Sequence, residues 1–125
     1  MDKKICIDTD ACIAIINKKG LYHNLLTKLL YSRVFISTIT LFELFLRTTN
    51  IEPVENFIKD LEILDFDSTS ARKASEIKKE LQSAGKEIEI RDLFIASTAI
   101  INNCTLATLN IKDFKNIKDL KLLEF

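Results

Sequence analysis

Apolar residues recur along this chain in two rhythms. Short apolar runs at 5–7, 34–37, 63–66, 104–109 and 120–123 read as buried strands, while the segments between them repeat apolar residues at helical spacing. By pattern alone the run 11–16 fits strand or helix; Asp10 as a cap and Lys18-Lys19-Gly20 as a stop favour a short helix. Leu21, Leu25, Leu26, Leu29 and Leu30 give a second helix ending near Ser32, and Thr40-Leu41-Phe42-Glu43 opens a third that runs through Arg47. Pro53 begins a fourth, with Val54, Phe57, Ile58 and Leu61 on one face. Ser68 or Ser70 caps a long amphipathic helix that turns Ala71, Ala74, Ile77, Leu81 and Ala84 inward and stops at Gly85. The segment 88–90 leads to Asp92, the helix 93–101 is apolar on most sides, and Asp113-Phe114 starts a short helical turn. Strands alternating with helices predict a mainly parallel sheet covered on both faces.

Composition narrows the class without changing that picture. A chain of 125 residues with 47% hydrophobic and 29% charged residues fits one globular domain. Eighteen basic and 18 acidic residues balance to zero, so any grip on nucleic acid must come from a local patch. Cys6, Cys12 and Cys104 show no C-x-x-C spacing and His23 is the sole histidine, which speaks against a thiolate or imidazole zinc site and for a reducing, cytoplasmic setting. The opening residues, Lys3 and Lys4 followed by a short apolar run broken at Asp8, predict neither a signal peptide nor a membrane span.

The chemistry lies in the acids. In open parallel sheets ligands bind beyond the carboxyl ends of the strands, where Asp8 ends the first apolar run. Each acid also has a plain structural explanation. Asp8 or Asp10 caps the first helix, Glu43 closes a capping box with Thr40, Asp92 caps the helix 93–101, and Asn110 or Asp113 caps the turn after the 104–109 strand. Together they say more, because helices that follow parallel strands begin on one rim, which brings Asp8, Glu43, Asp92 and Asp113 toward a shared pocket. Clustered carboxylates repel, and the usual remedy is a divalent cation with oxygen ligands, Mg²⁺ or Mn²⁺. Such an ion supports hydrolysis of a phosphodiester without histidine or a protein nucleophile. Asp8-Thr9-Asp10 also fits the D-x-D of haloacid-dehalogenase-type aspartyl phosphatases, although that superfamily's later Lys and paired acids have no convincing counterpart. A receiver-type phosphoacceptor domain fits poorly for a similar reason.

The segments I-D-T-D at 7–10, S-T-I-T-L-F-E-L at 37–44, S-A-G-K-E-I at 83–88, R-D-L-F-I-A-S-T-A at 91–99 and T-L-A-T-L-N-I-K-D-F at 105–114 resemble PIN-domain ribonucleases of the VapC toxin type. Their order and spacing carry the resemblance over nearly the whole chain. It implies a Rossmann-like α/β/α sandwich with a five-stranded, mainly parallel sheet, Mg²⁺- or Mn²⁺-dependent endoribonuclease activity, a homodimer, and inhibition by a cognate antitoxin. Residue by residue, Asp8, Glu43 and Asp92 match the family's acidic triad, and Thr9 and Thr108 match its polar neighbours. Family members place the fourth acid either where this chain has Asn110 or three residues on, so Asp113 takes the charge and Asn110 a hydrogen-bonding or water-mediated role. Asp10, where the family more often has a neutral polar residue, is left as a helix cap. Lys18, Lys19, Arg47, Lys86, Arg91, Lys112 and Lys115 fall near loop ends; Arg91 and Lys112 are the candidates for RNA, and a two-fold dimer would join two such patches into one groove. A PIN-like module acting only through protein partners is the non-enzymatic alternative.

Overall fold

The computed structural model describes residues 3–125. Its elements run β1 (Lys3–Ile7), α1 (Thr9–Asn17), α2 (Tyr22–Leu29), β2 (Ser32–Ser37), α3 (Thr38–Arg47), α4 (Glu52–Ile58), β3 (Glu62–Leu64), α5 (Ser68–Ser83), α6 (Ile90–Ile101), β4 (Thr105–Ala107) and α7 (Ile111–Phe114). The strands form one parallel sheet in the order β3-β2-β1-β4.

That sheet has four strands, not the expected five. The run 120–123 contributes a single parallel bridge, Leu122 to Leu106, fixed by Leu106 N–H donating to Lys121 O and Leu123 N–H donating to Leu106 O, each at 2.8 Å. The neighbour it would extend, β4, is itself only three residues long, so there is little ladder to continue.

Strand side chains alternate between the two faces, and each face meets its own helices. Cys6, Phe35 and Leu106 join Ala74, Ile77 and Leu81 of α5 and Leu93, Ile95, Ala96 and Ala99 of α6 in one buried cluster. Ile5, Ile7, Ile36 and Ala107 face the opposite way, into a cluster with Ala11, Cys12, Leu25, Leu44 and Val54 from α1 to α4. The result is an α/β/α sandwich whose strands are apolar on both sides, as a parallel sheet requires. Each fully buried Ile or Leu contributes on the order of 2 kcal/mol, so a charge at Ile36, which is 0% exposed, would disrupt the layer. Burial also pushes the Cys6 and Cys12 thiols up, which keeps them protonated within that packing.

The helices start earlier than their apolar faces suggest. Asp8, not Asp10, caps α1 by accepting from Ala11 N–H; Ser37, not Thr40, caps α3; Asp67, not Ser68 or Ser70, caps α5; and Glu89, not Asp92, caps α6. The capping box proposed for Glu43 is therefore absent, since Ser37 holds the α3 terminus and Glu43 lies in the second turn. Asn110 stands at the cap position of α7 but makes no side-chain cap bond there. At its other end α5 stops as expected: Gly85 takes φ +69°, and Lys86 N–H returns to Leu81 O at 2.8 Å.

Candidate active site

With strand order β3-β2-β1-β4, the chain runs outward from β1 through β2 to β3, then crosses back to place β4 on the other side of β1. The carboxyl ends of β1 and β4 flank this change of direction, which is where open parallel sheets leave a crevice. Asp8 follows β1 and Thr108 follows β4. The two join across the crevice: Thr108 Oγ1 donates to Asp8 Oδ2, while Asp8 Oδ1 accepts from Ala11 N–H at 3.1 Å. Asp8 is only 3% exposed, and burial pushes its carboxyl up to about 6 in spite of those two hydrogen bonds. The charges of Asp10 and Asp92 push in the same direction.

Glu43 reaches the crevice from α3. It is also buried, with Oε1 accepting from the Thr9 hydroxyl at 2.7 Å and Oε2 facing Arg91 Nη1 at 3.4 Å. Asp92 comes from the first turn of α6 and is half-buried. Burial is the main cause that raises its carboxyl to about 6, and the charges of Glu89, Asp113, Glu43 and Asp10 add to it. The structure thus gathers four segments close enough for their acids to feel one another. Asp92 and Asp113 line a cavity of about 370 Å³ with Glu87, Ile88, Glu89 and Lys112. No hydrogen bond or ion pair engages either of their carboxylates among the described residues.

Only part of this set is closed. Among the described residues no three His, Cys, Asp or Glu side chains stand together as a metal shell would. Asp8 and Glu43 already use their oxygens on Thr108, Ala11, Thr9 and Arg91, whereas Asp92 and Asp113 face open space. In donor chemistry the set fits a hard cation: carboxylate oxygens, two of them with raised pKa, and no imidazole or thiolate.

Chain-wide comparison accords with this geometry. The PIN domain family model matches residues 5–120. The chain is 37% identical to Ribonuclease VapC2 of Rickettsia felis, with 93% of each chain covered. It is 32% identical to the tRNA(fMet)-specific endonuclease VapC of Salmonella typhimurium, covering 95% of this chain and 96% of that one. The chain belongs to the PIN-domain family of VapC ribonucleases. Its fold also superposes, with a TM-score of 0.85, 35% identity and 98% of each chain covered, on the crystal structure of VapBC2 from Rickettsia felis bound to a DNA fragment from their promoter.

Within this PIN domain the remaining candidates divide. Lys112 lines the same cavity as Asp92 and Asp113. Arg91 turns onto Glu43 and, at 3.1 Å, onto Glu89 Oε1. Asn110 donates from Nδ2 to Asp10 Oδ2 at 2.8 Å, and Asp10 Oδ1 pairs with Arg47 Nη2 at 3.0 Å. Asp10 is therefore committed to Arg47 and Asn110, which leaves the D-x-D phosphatase reading without its second aspartate. Sequence reasoning missed Glu89, which accepts from the Arg91 and Asp92 N–H groups and holds Arg91 in place. The signal was its position three residues before Asp92, the spacing of an N-cap to N3.

Proposed function

We propose that the chain is the endoribonuclease toxin of a VapBC-type toxin-antitoxin pair, hydrolysing RNA phosphodiesters with Mg²⁺ or Mn²⁺ held by Asp8, Glu43, Asp92 and Asp113. The observation that carries the reading is that acids from separate segments converge on one crevice beside β1, Asp8 and Glu43 buried in it and Asp92 with Asp113 lining its cavity, in a chain that belongs to the VapC ribonucleases. A bound divalent ion supplies positive charge to the phosphoryl oxygens and makes a water molecule more acidic. The chain's own residues do the positioning. Thr108 fixes Asp8, Thr9 fixes Glu43, and burial keeps both carboxylates poorly solvated; Glu43 has Arg91 beside it, whereas Asp8 faces no cationic side chain among the described residues, which suits it to a metal ion. Lys112, which lines the cavity, and Arg91, which pairs with Glu43 and Glu89, supply charge for the RNA backbone.

Partners follow from the same reading. A cognate antitoxin and a second copy of this chain would cover exposed apolar side chains such as Leu30 and Tyr31 after α2 and Phe42 and Leu46 on α3. No helix of the described residues is long and apolar enough to cross a membrane; the reading places the protein in the cytoplasm with its RNA.

The test uses purified protein and bulk transfer RNA, the substrate class suggested by the name of the Salmonella relative. Cleavage is expected with Mg²⁺ or Mn²⁺, and neither in EDTA nor in the Asp8→Asn and Asp92→Asn proteins. Undiminished cleavage by Asp8→Asn, or in EDTA, would sink the proposal.

A further inference from the structure

Four of the contacts around Asp8 form a continuous chain that ends at a residue outside the acidic pocket. Arg47, the last residue of α3, pairs through Nη2 with Asp10 Oδ1 at 3.0 Å. Asp10 Oδ2 accepts from Asn110 Nδ2 at 2.8 Å. The backbone N–H of Asn110 donates to Thr108 Oγ1 at 2.9 Å, and Thr108 Oγ1 donates to Asp8 Oδ2. A threonine hydroxyl has one proton, so an N–H directed at its oxygen leaves that proton free to point the other way, at the aspartate. The series ties the start of α1, the end of α3 and the loop after β4 together around one carboxylate.

We propose that Arg47 is a positioning residue for Asp8, acting through Asp10, Asn110 and Thr108. The inference rests on the reading of Asp8 as part of a nuclease site. Arg47 and Asp10 side chains are each 44% exposed, so their pair adds little to global stability. What it supplies is orientation. Asp10 takes both Arg47 and the Asn110 amide, the amide anchors the loop 108–110, and the loop sets the direction of the Thr108 proton. An arginine suits the end of this chain because it is charged at every relevant pH and holds the Asp10 oxygen that Asn110 leaves free.

Two measurements on the full-length protein test this, with Arg47→Gln, Asp10→Ala, their double variant and Arg47→Lys. The first is amide hydrogen exchange by NMR without RNA or metal. Exchange at Asn110 should quicken roughly tenfold in Asp10→Ala, which removes a hydrogen bond to a charged group, and about threefold in Arg47→Gln, which removes only the half-exposed ion pair. Exchange at Cys12, whose N–H bonds Asp8 O at 3.0 Å within α1, should stay as in wild type. The second is steady-state cleavage of bulk transfer RNA with Mg²⁺. There kcat should fall by similar factors with KM nearly unchanged, the double variant should lose no more than Asp10→Ala alone, and Arg47→Lys should recover part of the rate.

An unchanged Asn110 amide overturns the proposal, as does quickened exchange at Cys12 and Asn110 alike, which marks a merely structural role. A rise in KM with kcat kept also overturns it, because Arg47 would then be touching RNA directly. Wild-type protein that cuts no RNA would remove the nuclease reading and the positioning role with it. Wild-type cleavage alongside unaffected variants would remove the positioning role alone.

Discussion

Replacing Asp8 by asparagine should stabilise the fold at neutral pH and destabilise it in acid. Burial raises the Asp8 carboxyl from 3.8 to about 6, so the folded state holds a proton that the unfolded chain has released between those two values. Stability therefore falls as pH rises through this window, and above pH ~6 the ionised carboxylate costs about 3 kcal/mol relative to an unperturbed one. Asparagine removes that cost. It keeps the cap, since its carbonyl accepts from Ala11 N–H as Oδ1 does now. It loses the second oxygen that receives the Thr108 proton, at about 1 kcal/mol. The net expectation is a gain of about 2 kcal/mol at pH 8 and a loss of up to about 1 kcal/mol near pH 4. Asp92 responds in the same direction but is half-exposed, so solvent screens more of its effect. Urea unfolding in EDTA reads the difference as a midpoint about 1 M higher at pH 8 and lower near pH 4, for a slope of about 2 kcal/mol/M. An equal loss at both pH values would refute the reasoning, because it would mean that Asp8 contributes only hydrogen bonds and carries no desolvation penalty.

Two further outcomes follow from single contacts. Thr108→Val removes the hydroxyl that favours the ionised Asp8, so a carbon-detected NMR titration in EDTA should find the Asp8 carboxyl above its wild-type value of about 6; an unchanged midpoint would show that the Thr108 contact is unimportant. Ser37→Ala deletes the α3 cap at a residue that is 0% exposed, where Ser37 Oγ accepts from Thr40 N–H at 3.1 Å, and should lower stability by about 1–2 kcal/mol in denaturant unfolding. A larger loss from Thr40→Ala with Ser37→Ala neutral would restore Thr40 as the cap.

The layer order was legible because both periods were clear. Ile5, Ile7, Ile36 and Ala107 go to one face and Cys6, Phe35 and Leu106 to the other, as alternation within short apolar runs requires. The fifth strand was overcounted because a run such as Leu120-Lys121-Leu122-Leu123 is apolar for packing, while the length of a ladder depends on the neighbour, and β4 offers three residues. The partners of Arg47 and Asn110 were out of reach. Asp10 and Asn110 lie 100 positions apart, with no periodicity to connect them.

The displaced helix caps have one physical cause, and it bears on the site. An apolar pattern becomes visible only where a helix first meets the core, but polar residues open these helices, and in α1 and α6 they face the crevice. Thr9 and Asp10 open α1 and Arg91 and Asp92 follow Ile90 in the first turn of α6, while Thr38 at the start of α3 accepts from Phe66 N–H, so each helix begins up to three residues before its apolar face and takes its cap from farther upstream. That shift changes what the acids are free to do. Had Asp92 capped α6, its oxygens would be spent on backbone N–H groups; Glu89 takes that role and leaves Asp92 facing the cavity. Had Glu43 closed a capping box, it would turn back on its own helix; with Ser37 as the cap it instead meets Thr9 of α1. Asp8 is the exception, a cap and a crevice acid at once, because the single residue between β1 and α1 bonds β4 through its N–H, which donates to Ala107 O at 3.1 Å, and caps the helix with its side chain. The strand-to-helix junction is therefore where structural and chemical demands coincide, and there burial holds the Asp8 carboxyl up at about 6.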